Sequence, residues 1–373
     1  MKKKKVLFLS HTFVKKINLS LPLILAENKN LDISCVVPKK IIQGNRSVYP
    51  DYKKKDIKIN LIQSVLINKS MRTQYYNKIN ETIEKQKPDI IFLDNDTVCF
   101  QSLILIYWSF FYNFKIYYFC NENNLTNILS SFSIKKLIKF MIIGTSNMII
   151  KFKVDRIFCY SRQIKKNYDF FGYKDKTMIV PLGFDKNIFF SKKRKKKSKN
   201  LMISYFGRIT PVKGIHVLID ALKKIKNYKW NLIIDIDHIE DEKYYSKLKE
   251  KLKINFHPKK YKFIKCDHFQ IANYMRLSDI IVLPSLHEEQ YGRVIQEGIA
   301  CGNVAIGSNI GAIPEIIGDK DLLFNPGDFN SLALILKKLF NKSYYMKKIK
   351  KQKTDIIKNR SIQRQVKLIL KSL

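Results

Sequence analysis

Short apolar runs rich in β-branched and aromatic residues recur along this chain between stretches of helical spacing, and that alternation limits its fold more than any other feature. In the first half the runs fall at residues 5–9, 31–37, 89–93, 116–120, 156–160 and 177–180. The pattern restarts after residue 200, with runs at 202–206, 230–234, 261–264, 280–283 and 304–306. Strands that read as near-continuous hydrophobic segments are buried on both faces, and helices alternating with them are the crossovers of a parallel sheet. The fold class expected is therefore α/β, with two doubly wound parallel-sheet (Rossmann-like) domains. The expected boundaries are an N-terminal domain over 1–190, a basic linker over 191–200, a second domain over 201–342 and C-terminal basic helices over 343–373 that pack back toward the first domain. Ile356, Ile362, Val366, Ile369 and Leu370 form the apolar stripe of those last helices.

A chain of 373 residues is long enough for two such cores. Its 70 Lys and Arg against 31 Asp and Glu give a net charge of +39. Such a surface suits nucleic acid, an anionic membrane or phosphorylated small molecules. The excess is spread, with 32 basic and 14 acidic residues before position 191. Part of it is compositional, because Lys, Ile, Asn, Tyr and Phe are the residues an AT-rich coding sequence favours. The run of like charge from Ser191 to Asn200 repels itself and reads as a solvated linker. Six cysteines without a CxxC pair, most beside apolar runs, read as reduced buried thiols and a cytoplasmic protein. The apolar run at 6–10 is too short for a signal-peptide core.

Two segments of the first half bear on membranes. Residues 97–114 carry no charge, but Gln101, Ser102 and Asn113 interrupt them, and a buried helix feeding the strand at 116–120 accounts for them better than a span. Residues 133–153 mix lysines with apolar residues at helical spacing. That pattern fits a helix lying at an anionic membrane surface, a core helix with its lysines outward, or a helix lining an acceptor site.

The chemistry concentrates in two places. After the strand at 280–283, Glu289 and Glu297 stand with seven residues between them, around the expected start of a helix near Tyr291. Eight residues of helix span roughly 12 Å, a length that suits the two ends of a sugar nucleotide. The helix start between them offers unpaired N–H groups and a positive dipole to a diphosphate, and each carboxylate can accept hydrogen bonds from a pair of hydroxyls. After the strand at 202–206, Gly207, Arg208 and Lys213 occupy a turn before a helix starting near Gly214, where two cations can neutralise phosphate charge growing on a leaving group.

Together, Glu289-x7-Glu297, Phe206-Gly-Arg208 with Lys213-Gly214, Pro181-Leu-Gly-Phe-Asp185 and Gly311-Ala-Ile-Pro-Glu315 resemble the retaining glycosyltransferases of the GT-B fold, the large family 4 group. The resemblance covers about residues 155–330 well and the first 150 in outline. It implies two domains facing a central cleft and transfer of a sugar from a UDP- or GDP-linked donor, with no metal and no cofactor. By resemblance Arg208 and Lys213 would hold the diphosphate, Glu289 the hydroxyls of the transferred sugar and Glu297 those of the ribose. The segment of Tyr291, Gly292, Arg293 and Val294 would add backbone N–H contacts to phosphate, and Gly207 would line the donor. The acceptor, an envelope glycan or lipid-linked saccharide, would meet His11, Asn121 and Glu122. The chain departs from the family pattern at 10–16, where there is no glycine, at Asn121 in place of a histidine, and at Asp235-Ile-Asp237-His238 in place of a glycine-bearing turn. Two other readings stay open: a sugar-nucleotide 2-epimerase of the same architecture, which the two glutamates with Arg208 and Lys213 disfavour, and a basic nucleic-acid-binding protein, for which no module is present and no nucleic-acid partner is expected. The six histidines show no metal-ligand spacing. A cytoplasmic enzyme is expected, peripheral on the inner face of the plasma membrane if the basic surface is functional.

Overall fold

Each half of the strand–helix pattern builds its own parallel sheet. The computed structural model describes residues 2–43, 46–68, 70, 72–120, 134–192 and 200–373. Among them, strands β1 (Lys4–Leu9), β2 (Leu31–Pro38), β3 (Asn60–Ser64), β4 (Ile90–Asp94), β5 (Lys115–Cys120), β6 (Arg156–Cys159) and β7 (Thr177–Ile179) form one sheet in the order β7-β6-β5-β4-β1-β2-β3. Strands β8 (Leu201–Tyr205), β9 (Trp230–Asp235), β10 (Tyr261–Ile264), β11 (Ile280–Leu283), β12 (Val304–Ser308) and β13 (Leu323–Phe324) form the other, in the order β10-β9-β8-β11-β12-β13. All pairings within both sheets are parallel. The edge strand β3 has no counterpart in the sequence reading: only Leu61 is fully buried in it, so it lacks the continuous apolar run that marks the central strands.

The first sheet is held by an aromatic ladder. Phe8 of β1 stacks on Phe92 of β4 at 4.6 Å between ring centroids, and Phe92 stacks in turn on Phe119 of β5 and Phe158 of β6. Chain order reverses direction between β1 and β4, which pair directly, so the crevice at their carboxyl ends is the switch point where doubly wound sheets bind ligands.

The compact units are residues 1–181 with 365–373, and residues 182–364. The boundary at 190 read from sequence thus moves to 181. Phe184 pairs with Ser361 and Phe189 is buried, while the Arg276 guanidinium donates to the Ile188 carbonyl, so 182–190 packs on the second unit. Helix α10 (Lys342–Asn359), expected to lie outside the second domain, also packs on that unit, and only residues 365–373 return to the first. Its buried Lys348 reaches Asp319 at 2.9 Å and Asp321 at 2.5 Å. The side-chain amide of Gln352 on the same helix both donates to and accepts from the backbone of Ala305, at 3.0 Å each way.

Two helices of the first unit leave apolar faces exposed. Helix α1 (Phe100–Trp108) buries Leu105 and Ile106 but exposes Phe100, Leu103 and Tyr107, and Phe110 and Phe111 follow in the same state. This corrects the expectation of a buried helix. Helix α2 (Ile134–Ile150) buries Ile143, Asn147 and Ile150, where the Asn147 side-chain oxygen accepts hydrogen bonds from Thr97 and Tyr173 at 2.9 Å each. Its opposite face presents Ile134, Leu137, Ile138, Met141 and Ile142 to solvent. Lys153 lies over the Phe110 ring at 4.0 Å and so joins the two faces. Among the described residues no helix is long and apolar enough to cross a membrane.

Burial disfavours charge on Lys348, but its hydrogen bonds to Asp321 and Asp319 more than offset this and hold its pKa above the ordinary value. Breaking a buried ion pair leaves a charge without compensation. Lys348→Met is therefore expected to destabilise the second unit by about 3 kcal/mol, whereas Asp321→Asn, on a largely exposed side chain, is expected to lose less than about 1 kcal/mol; urea unfolding of the two variants checks the difference.

Candidate active site

The two motifs of the second unit are brought together by backbone contacts. The 3-10 turn Pro211–Lys213 is followed by Gly214 at φ +68°, which starts helix α4 (Ile215–Lys224). The loop after β11 runs alongside it, with the Leu286 N–H donating to the Val212 carbonyl at 2.8 Å. A Cβ at position 214 would collide with the Pro284 carbonyl oxygen, so glycine is required where the two loops touch. Glu289 is fixed from the other side. Gly311, at φ +59°, packs on its backbone so closely that a Cβ would stand 2.6 Å from the Glu289 carbonyl oxygen. The Ala312 N–H donates to that same carbonyl at 3.0 Å.

These contacts place Lys213 and Glu289 side by side. The lysine Nζ is 2.5 Å from Glu289 Oε1, and the Ser285 hydroxyl donates to the same oxygen at 2.5 Å. Both charged side chains are largely buried, 17% and 13% exposed, where a pair interacts more strongly than at the surface. Arg208 stands apart from this pair. Its guanidinium is 2.6 Å from Glu240, and both side chains are about half exposed. A short bridge of Ile209 with Ile239 carries that contact.

Helix α7 (Arg293–Ala300) begins two residues later than expected, because Gly292 takes the left-handed conformation at its N-cap. Its N-cap is a glycine, with no side chain to accept from the helix, and of the first-turn N–H groups that of Ile295 donates to the Gly292 carbonyl at 3.0 Å. Glu297 is buried one turn along, held by Arg293 Nε at 3.3 Å. The Tyr291 ring points into the second unit: its hydroxyl donates to the Leu182 carbonyl or Gln296 and accepts from buried Arg360 at 3.1 Å. Burial raises its pKa to about 12, keeping the hydroxyl protonated. Arg360 also reaches the Glu315 carbonyl and carboxylate, so the end of α10 braces the loop that leads into α7.

Of the residues singled out from sequence, Lys213, Glu289, Gly292, Arg293, Val294 and Glu297 therefore share one locality, with Gly207 and Arg208 at the carboxyl end of β8 paired toward Glu240. His11 lies in the first unit at the end of β1. Asn121 and Glu122 lie outside the described residues, as do 193–199 of the basic run. Ser285 and Glu240 were not singled out. Ser285 follows the strand-ending Pro284, which is a signal for a loop but not for a partner; Glu240 has no local signal at all.

The Asp235–Asp237 turn is local chemistry of the kind short acidic turns supply. The Asp237 N–H donates to Asp235 at 3.2 Å, and the Cys266 thiol lies 3.7 Å from the same carboxylate. Burial raises the Asp235 pKa from 3.8 to about 6. Among the described residues no three His, Cys, Asp or Glu side chains stand together in an arrangement able to hold a metal ion.

Residues 185–359 match the family described as Glycosyl transferases group 1. The chain is 28% identical over 190 residues to an uncharacterised glycosyltransferase of Methanocaldococcus jannaschii, covering 50% of each protein. It is 29% identical over 179 residues to the capsular polysaccharide biosynthesis glycosyltransferase CapM of Staphylococcus aureus, covering 46% of this chain and 45% of that one. The chain thus spans about half the length of these curated relatives. Its fold is similar to that of HepE from Anabaena in complex with UDP and glucose, with a TM-score of 0.73 at 16% identity over 99% of each chain. A glycosyltransferase from Rickettsia africae gives 0.73 at 19% identity, over 100% of this chain and 98% of that one.

The Asp235 pKa carries a pH dependence. Because folding raises it, the unfolded chain releases this proton near pH 3.8 and the folded chain only near 6. The associated stability is fully present below about pH 4 and is lost as pH rises through 6. Asp235→Asn, which keeps the acceptor for the Asp237 N–H, is expected to be neutral at pH 4 and to stabilise by on the order of 1–3 kcal/mol at pH 7.5; melting curves at the two pH values check it.

Proposed function

Because residues 185–359 are a glycosyl transferases group 1 domain and the whole chain takes the GT-B fold, we propose that this protein moves a hexosyl group from a nucleotide-sugar donor, UDP- or GDP-linked, to an envelope glycan or lipid-linked saccharide, with retention at the anomeric carbon. The observation that carries this reading is the meeting of Lys213 with Glu289 in the same loop region as the uncapped start of α7. A cation, a hydroxyl-binding carboxylate and a row of backbone donors are the groups a sugar diphosphate needs. The UDP complex of HepE and the polysaccharide role of CapM support the donor and acceptor classes.

In this reading Arg208 and Lys213 neutralise the diphosphate while α7 donates its N–H groups to phosphate oxygens. The bond between the anomeric carbon and the phosphate oxygen breaks, and its electron pair stays on that oxygen. The acceptor hydroxyl forms the new bond on the same face and passes its proton to the departing phosphate. The protein supplies position and fixed charge, so neither a general base, a resident cofactor nor a metal ion is called on. The Arg208–Glu240 pair is exposed and worth about 0–1 kcal/mol, so it yields readily to a diphosphate. Glu289, held by Lys213 and Ser285, receives the hydroxyls of the transferred sugar; Glu297, held by Arg293, receives those of the ribose.

A peripheral membrane site belongs to the same reading. Phe152 is 85% exposed and Phe110 68% exposed, beside the apolar face of α2. Residues 97–154 contain six lysines against one acidic residue, Glu122. An apolar face flanked by lysines suits an anionic lipid surface, and the like charge of two such faces opposes their pairing with each other.

Glu289→Gln is expected mostly to lower kcat, and Glu297→Gln chiefly to raise the donor KM and weaken binding of free UDP or GDP, each by roughly ten- to a hundredfold. Calorimetry and steady-state kinetics with the donor that protects the protein in a thermal-shift screen separate the two; near wild-type values for both would end the reading, as would nucleotide binding abolished by EDTA. Flotation with phosphatidylglycerol vesicles is expected to recover the protein at low salt and to lose it at high salt, screening acting over roughly 8 Å at physiological ionic strength. Phe110→Ser with Phe152→Ser should reduce recovery, and equal recovery on neutral vesicles would remove the anionic-surface assignment.

A further inference from the structure

The motifs Pro181-Leu-Gly-Phe-Asp185 and Gly311-Ala-Ile-Pro-Glu315 contribute no group to the transfer proposed above, yet both are tied to one buried side chain of the second unit. Arg360 follows helix α10 and is 6% exposed. One terminal nitrogen of its guanidinium donates to the Tyr291 hydroxyl at 3.1 Å; the other donates to the Glu315 carbonyl at 3.0 Å and to the Glu315 carboxylate at 3.3 Å. Its backbone is pinned as well. The Phe184 N–H donates to the Arg360 carbonyl at 3.1 Å, and the Ile362 N–H to the Phe184 carbonyl at 3.0 Å. The Tyr291 hydroxyl in turn lies 2.8 Å from the Leu182 carbonyl.

What these segments share is Glu289. Tyr291 follows it by two residues in the chain. Glu315 ends the motif whose Gly311 packs on the Glu289 backbone and whose Ala312 N–H donates to the Glu289 carbonyl at 3.0 Å. Arg360 therefore holds the Glu289 loop twice: along the chain through Tyr291, and across the loop contact through residues 311–315. The neighbouring charged groups are anchored separately, Lys213 on its own turn and Glu297 by Arg293 on its own helix.

Fold stability alone gives a weak reason for a guanidinium here. Burying a cation costs free energy even when it is paired, and well-packed apolar residues in place of a buried ion pair are often neutral or stabilising. A guanidinium offers what an apolar side chain lacks, a rigid planar fork whose donors address two loops at a fixed angle.

We propose that Arg360 is a positioning residue for the transfer, holding the Glu289 carboxylate in register through Tyr291 and the 311–315 loop. The link to transfer rests on the reading given above; the clamp rests on the contacts of Arg360 itself.

The test uses the full chain and the variants Arg360→Lys, Tyr291→Phe and Glu289→Gln. Lysine keeps the charge but not the planar fork. Tyr291→Phe removes only the shared hydroxyl and keeps the ring, so it answers the question even where Arg360→Lys fails to fold. Hydrogen exchange of the free protein, read by mass spectrometry, is expected to be faster in both variants around Glu289 and over residues 311–315, and unchanged in strands β8 and β9. With the donor found by thermal shift, each change is expected to lower kcat about tenfold and to leave the Kd of UDP or GDP within about threefold of wild type. In the Glu289→Gln background neither change should lower kcat further, because the group being positioned is gone. A brace that only stabilised the fold would lower the melting temperature, act equally in both backgrounds and leave kcat and Kd unseparated. Unchanged exchange in both variants, faster exchange with wild-type kcat, or losses that add to that of Glu289→Gln overturn the proposal. A wild type that transfers sugar from no nucleotide donor overturns the transfer reading and with it the part of Arg360 in transfer, while the exchange rates still decide whether the clamp exists.

Discussion

The proposed donor-side site depends on backbone meeting backbone where no side chain fits. Gly214 lies against the Pro284 carbonyl and Gly311 against the backbone of Glu289. Between them the Leu286 N–H bonds to the Val212 carbonyl. Three loops that are distant in sequence are thereby held against one another, since interiors packed at crystal-like density have little room to yield. The Lys213–Glu289 contact follows from that packing. A side chain at either glycine would strain a left-handed backbone and separate the loops, so the electrostatics of the site are set by steric facts at positions that touch no ligand.

Charge in the second unit is arranged in pairs. Each of the two carboxylates proposed for the site stands against a cation: Glu289 against Lys213, Glu297 against Arg293. Such charge-assisted contacts hold the two carboxylates in a fixed orientation. In the proposed transfer, a diphosphate would exchange one anion for another around Lys213 and Arg208, which avoids stripping a bare cation of water.

The fold class was legible because both sheets are parallel and buried, which forces the apolar runs that β4 (Ile90–Asp94) and β11 (Ile280–Leu283) display. Strand β3 escaped for the same reason in reverse: an edge strand exposes half its residues and loses the run. The glutamate pair and the Arg208 and Lys213 turn were legible as motifs, since each is local in sequence. The partners that organise them were not. Glu240, Arg360 and Ser285 act through contacts fixed by loop packing, and nothing in a single sequence says that residue 360 will brace Tyr291. The domain boundary failed because a run of seven basic residues looks like a linker, while the segment before it, carrying Phe184 and Phe189, is already packed into the second unit.

Helix α2 shows why periodicity alone could not choose between a core helix and an interfacial one. Apolar residues at helical spacing mark a face, not what covers it. Here the covered face is narrow and partly polar, built on Ile143, Asn147 and Ile150, and Asn147 is satisfied by Thr97 and Tyr173. Among the described side chains of the helix, these buried positions dock it, and Ile134, Leu137, Ile138, Met141 and Ile142 lie outside the core. A helix that only needed to fold would gain nothing from exposing Ile134, Leu137, Ile138, Met141 and Ile142 together, since contiguous apolar surface of that kind promotes aggregation. Joined by Lys153 to the aromatic residues that follow α1, the face is apolar surface with a cation within reach, and it is this combination, rather than net charge, on which the proposal of a lipid surface instead of nucleic acid rests.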